Sequence, residues 1–180
     1  MKAVLDACVL VPPILREILL SVAAKGLYQA CWSERLLEEW ARASAKFGPL
    51  SEMDARARIA RLGAQFPRAT LPAAPQIEAR LYLPDPNDAH VLAVAIAGSA
   101  DAIITTNAKD FPRNTLAEDK ITRRDPDGFL WELWSFHPEA VEAALAEVQA
   151  EAARRDAAPV PMKSMLKKAR LGRLARALGV

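Results

Sequence analysis

Apolar positions along this chain follow two rhythms. Residues 3–5 and 7–11 are apolar on both sides of Asp6, as in a strand covered on both faces within a parallel sheet. Pro12 and Pro13 close that run, and ILREILLSVAAKG then has helical spacing with Gly26 as its stop. YQACWS predicts a second strand, with Ser33 placed to cap the helix SERLLEEWARASAKF. Ser51 opens another helix, closed by Pro67, and PQIEARLYL is a short helix after a proline-dotted connection. PDPND introduces the apolar helix AHVLAVAIAGSA, DAIITTN is a third buried strand, and KITRRDP a short fourth. This alternation predicts an α/β fold with a central parallel sheet flanked by helices.

Beyond residue 128 the character changes. FLWELWSF is rich in tryptophan, HPEAVEAALAEVQAEAARR reads as a long helix, AAPVP as a hinge, and MKSMLKKARLGRLARAL as a basic last helix. The simplest partition is a core domain over 1–132 and a helical C-terminal extension over 133–180. Hydrophobic residues make up 52% and charged residues 26% of the chain, ordinary for a soluble globular protein. No apolar run reaches the ~18 residues that span a bilayer, and Asp6 interrupts the first apolar stretch too early for a signal segment. A cytoplasmic location without stable membrane association is expected. Cys8 and Cys31 lack the spacing of a zinc site and read as small buried thiols.

Charge is unevenly distributed. Lys163, Lys167, Lys168, Arg170, Arg173 and Arg176 are accompanied by no acid; without these six of the 24 basic residues, 18 remain against 22 acids, a balance of −4. The basic helix has two readings, an RNA-binding element or an amphipathic helix that packs Met165, Leu166, Leu174 and Leu178. Trp131, Trp134 and Phe136 likewise suit either a base-stacking platform or the locking of an appended helix, with packing the commoner role.

Several acids call for explanation. Asp6 lies within AVLDACVL, where an ionised carboxylate is costly unless it is paired, hydrogen-bonded or bound to a cation. It can serve a ligand at the carboxyl edge of the sheet or cap the following helix. Glu39 sits on the edge of the stripe marked by Leu36, Leu37 and Trp40; an exposed helical glutamate is its bland reading, and Glu38 is the neighbour most easily confused with it. Asp88 precedes HVLAVAIA, as a cap or a metal ligand, and Asp85 stands one short turn earlier. Thr105, Thr106, Asn107 and Asp110 follow the third strand at the same sheet edge, where they also suit a turn. Convergent hard oxygen donors favour Mg2+ or Mn2+ over softer metals.

In order, VLDACVLV, SERLLEEW, DPNDAHVLAVAI and IITTNAKDF resemble the PIN-domain ribonucleases, particularly the VapC-like toxins of bacterial toxin–antitoxin pairs. With RRDPDGFL, the likeness covers about residues 1–132. It implies a PIN-like three-layer fold and metal-dependent hydrolysis of RNA phosphodiesters, with Asp6, Glu39, Asp88 and Asp110 as catalytic metal-holding acids. Asp85, Thr105, Thr106 and Asn107 would support them. The chain departs from the usual pattern in having Asn107 where many members carry an acid, so either Asp110 or the Asn107 amide oxygen completes the set. A cognate antitoxin and homodimerisation are also implied. A catalytically weak RNA-binding or antitoxin-binding module is the rival reading. A haloacid-dehalogenase-like phosphatase is disfavoured because Cys8 occupies the position of its second aspartate.

Overall fold

The computed structural model describes all 180 residues apart from the side chain of Pro49. In chain order the elements are β1 (Lys2–Leu5), α1 (Ala7–Leu10), α2 (Pro13–Ala24), β2 (Gln29–Ser33), α3 (Glu34–Ser44), α4 (Pro49–Gln65), β3 (Thr70–Leu71), α5 (Pro75–Glu78), α6 (Ala89–Ala97), β4 (Ala102–Ile104), α7 (Arg113–Glu118), β5 (Thr122–Arg124), α8 (Pro126–Phe136), α9 (Pro138–Asp156), α10 (Met162–Lys168) and α11 (Gly172–Ala177). Short 3-10 turns cover Ala45–Phe47 and Pro86–Asp88. Two compact units emerge, one from Met1–Val11 with Gln29–Arg124, the other from Pro12–Tyr28 with Asp125–Val180.

The first unit is built on a five-stranded, wholly parallel sheet of order β3-β2-β1-β4-β5. Helices pack against it, as the α/β reading requires. Ala3, Val4 and Leu5 are fully buried, so both faces of the central strand are covered. Register places Leu5 beside Ile104 and Val4 beside Cys31. Because β2 flanks β1 on one side and β4 on the other, the strand order reverses between β1 and β4. In doubly wound sheets the crevice at that reversal, beyond the carboxyl ends of the strands, is where ligands bind.

Two local departures from the sequence reading matter. The first strand stops at Leu5, and the apolar run 7–10 turns into one turn of helix instead of extending the strand. Asp6 keeps extended backbone angles, and its carbonyl accepts from Val9 N at 3.0 Å, which starts the turn. A two-residue strand, Thr70–Leu71, forms the sheet edge where the sequence predicts only a connection. Such a piece is too short to carry an alternation.

Several caps agree with the sequence. Ser33 Oγ accepts from Leu36 N at 3.2 Å and starts α3, the helix that carries Glu39. Gly26 and Gly48 adopt positive φ where a side chain would be strained, ending α2 and the turn after α3.

In the second unit, α2 packs on α9 and α8 on both α9 and α11. The Tyr28 ring meets Phe129 edge-on at 5.0 Å while its hydroxyl donates to Leu19 O. The single basic helix expected near the chain's last residues is two short ones. Arg170 takes a left-handed φ of 58° between them, and Leu171 N returns to Leu166 O. No described helix is long and apolar enough to cross a membrane.

Replacing Ser33 by Ala removes a buried N-cap without creating much space. We expect a loss of about 1 kcal/mol in urea unfolding. No loss would mean that the cap does not hold α3 in place.

Candidate metal centre

Asp6 is 6% exposed and lies where β1 gives way to α1, yet its carboxylate makes no capping bond. Its Oδ2 instead accepts from Thr105 Oγ1 at 2.6 Å and from Cys8 Sγ at 3.0 Å. The Thr105 side chain, just beyond β4, therefore ties together the carboxyl ends of the two central strands. The backbone repeats the link, with Asp6 N donating to Ile104 O.

From Thr105 the polar contacts continue outward. Asn107 N donates to Thr105 Oγ1 at 2.9 Å, and Asn107 Nδ2 donates to Asp88 Oδ2 at 2.9 Å. Asp110 N in turn donates to Asn107 Oδ1 at 3.4 Å. Asn107 thus has both ends of its amide occupied in holding two aspartates. The loop is secured by the fully buried Phe111 and by Arg123 of β5, whose guanidinium donates to Phe111 O at 3.0 Å.

Asp88 also stands at a helix start without capping it. Asp85 caps the 3-10 turn Pro86–Asp88 just before that helix, its Oδ1 accepting from Asn87 N at 2.9 Å and Asn87 Nδ2 at 3.0 Å. Asp85, Asp88 and Asp110 each offer a carboxylate oxygen within 4.8 Å of the other two. Burial first, then the charges of Asp6, Asp85 and Asp110, push the Asp88 carboxyl up to about 6. Like charges held this close are unfavourable on their own and favourable around a cation.

Glu39 lies outside that trio. Its Oε1 accepts from His90 Nε2 at 3.0 Å and from Arg35 Nε at 3.2 Å, while Arg35 also bridges to Glu78. Burial works against its ionisation, but the hydrogen bond and charge of His90, with Arg35, outweigh it and hold the carboxyl below its usual range. Glu38 faces elsewhere, paired with Arg42 and Arg56, which bring it down to about 2.

The sequence reading missed two contributors. Cys8, expected as a thiol in apolar surroundings, is half-buried among Asp6, Thr105 and Thr106, and accepts from Thr106 N at 3.2 Å. Burial, then the Asp6 charge, raises it to about 11, so it remains a protonated donor. His90 is 3% exposed on an otherwise apolar helix face, and its Nδ1 has no partner. A histidine two residues after Asp88 within an apolar run was the available signal, since burying an imidazole calls for a polar partner. Cys31, in contrast, is fully buried as expected.

A family model described as PIN domain matches residues 2–109. That span contains Asp6, Glu39, Asp85, Asp88 and Asn107. The chain is also similar to "Putative ribonuclease VapC50" of Mycobacterium tuberculosis (strain ATCC 25618 / H37Rv), with 40% identity over 58 residues, 32% of this chain and 34% of that one. The similarity spans about a third of that protein's length. No solved structure matches.

The crowding at Asp88 has a signed consequence. Its folded pKa lies above the unfolded value of 3.8, so the associated stability is present below that pH and is lost as pH rises through about 6. For this partly buried group the effect is on the order of 1 kcal/mol after screening. Asp88→Asn should therefore raise the melting temperature of EDTA-treated protein near pH 7 and leave it nearly unchanged near pH 4. Destabilisation at both pH values would show that the Asp88 charge is already compensated within the protein.

Proposed function

The chain belongs to the PIN-domain family, and from that premise we propose that it is a divalent-metal-dependent endoribonuclease, the toxin of a toxin–antitoxin pair. The observation that carries this reading is the convergence of carboxylates at the β1/β4 edge. Asp85, Asp88 and Asp110 lie within 4.8 Å of one another, with Asp6 linked to them through Thr105 and Asn107.

The donor set fits a hard cation. Its members are carboxylate oxygens, and the one nearby sulfur is kept protonated. Asp6, Glu39, Asp88 and Asp110 would hold Mg2+ or Mn2+, supported by Asp85, Thr105, Thr106 and Asn107. Asp110 would complete the set in preference to the Asn107 amide oxygen, because its carboxylate lies within 4.8 Å of those of Asp85 and Asp88. When bound, the ion supplies charge stabilisation for the phosphate and lowers the pKa of water.

The chain's own groups supply position. Thr105 and Cys8 donate to Asp6 and keep its carboxylate aimed at the edge. Asn107 orients the Asp88 carboxylate and holds the Asp110 backbone, and His90 with Arg35 fixes Glu39. None of these acids needs to act as a nucleophile. An RNA substrate, a cognate antitoxin, self-association and a cytoplasmic location accompany this reading. Every residue of the centre lies in the unit formed by Met1–Val11 and Gln29–Arg124. The proposed catalytic region is residues 1–132 and the appended helical one 133–180; Pro12–Tyr28 and residues 125–132 of the former group with the second unit.

The test is cleavage of a mixed structured-RNA pool with Mg2+ or Mn2+, beside matched EDTA samples. We expect metal-dependent cutting that Asp6→Asn and Asp88→Asn abolish and that Asn107→Ala weakens about 10–100-fold, as for loss of a partner that orients a ligand. Cutting that persists in EDTA or in Asp88→Asn would refute the assignment.

A further inference from the structure

Six cations lie on the last two helices and the turn between them. Lys163, Lys167 and Lys168 lie on α10, Arg170 in the turn, and Arg173 and Arg176 on α11, all exposed. No acid lies between residues 163 and 180. Among the described residues, none of the six side chains forms an ion pair.

Packing does not account for them. Met165, Leu166, Leu171 and Leu174 are fully buried and supply the apolar contact without the cations. The Asp127 carboxylate accepts from Arg173 N at 2.7 Å and Leu174 N at 3.0 Å, so it satisfies the backbone at the start of α11. The Arg173 guanidinium lies 3.9 Å from the centre of the Trp131 ring, held over one face while the residue stays exposed. An array of like charges without internal partners is self-repulsive, a cost that an external polyanion relieves.

We propose that α10 and α11 form an RNA-binding element, with the lysines and arginines on backbone phosphates and the Arg173–Trp131 stack offering a plane to a base. This rests on the ribonuclease reading, which makes RNA the polyanion at hand. Two features select RNA over other acidic surfaces. Met165, Leu166 and Leu174 are fully buried and the pair carries no aromatic anchor, which leaves little to insert into a bilayer. A guanidinium stacked on an indole suits an unstacked base, which an acidic peptide does not offer.

The test uses the full chain in EDTA, so that nothing is cut, and a labelled single-stranded RNA of mixed sequence. Affinity is followed by fluorescence anisotropy across about 50–200 mM KCl. Combined Lys163→Gln, Lys167→Gln and Lys168→Gln should weaken binding about tenfold or more and reduce the salt slope by about 2, near 0.7 for each phosphate no longer neutralised. The same three positions changed to Arg should retain both affinity and slope, which separates charge from folding. Equal affinity and slope for the Gln protein overturns the proposal, as does equally tight binding of polyglutamate or of anionic lipid vesicles. Cleavage with metal is scored separately. Salt-dependent, lysine-dependent RNA binding by a wild-type chain that never cuts would support this element and count against the nuclease centre alone.

Discussion

The hydrogen bond from Thr105 to Asp6 sets the arrangement around it. A carboxylate at the end of a buried parallel strand is costly unless its oxygens are satisfied. Here a 2.6 Å bond from a residue 99 positions away satisfies one of them and joins the two strands that meet where the sheet order reverses. Asp6 is thereby relieved of capping, and the helical turn after it begins from its carbonyl instead. The strand ends and the acidic edge are specified by the same contact.

From that contact a short polar path, Thr105 to Asn107 to Asp88, sets the spacing of the outer acids. Burial first, then the neighbouring acids, push the Asp88 carboxyl up, so its charge is disfavoured in the protein alone. Strain of this kind is sustained by rigid surroundings. Buried Phe111, the Arg123 clasp and the Asp85 turn provide them. Under the proposed function, stability given up at the edge would make it receptive to a cation, a trade common at functional sites.

Much of this was legible from residue order. Buried strands announced themselves as short apolar runs, Ser33 as a cap, and Asp6 as an acid too costly to ignore. Less visible were features that depend on partners far along the chain. Cys8 has apolar neighbours in sequence and polar ones in space, because Thr105 and Thr106 reach it across the sheet edge. His90 reads as one polar residue in an apolar helix until Glu39 is placed against it. Whether Asp88 capped its helix was undecidable locally, since cap and ligand occupy the same position; Asn107 resolves where its carboxylate turns. Nor does any local pattern announce that Pro12–Tyr28 groups with helices beyond residue 125.

The most direct measurement of the proposed metal centre is anomalous diffraction from crystals grown with Mn2+. A manganese peak is expected about 2 Å from carboxylate oxygens of Asp6 and Asp88, the direct bonding range for a hard cation. Manganese bound elsewhere, or these carboxylates left without an ion at saturating metal, would contradict that assignment.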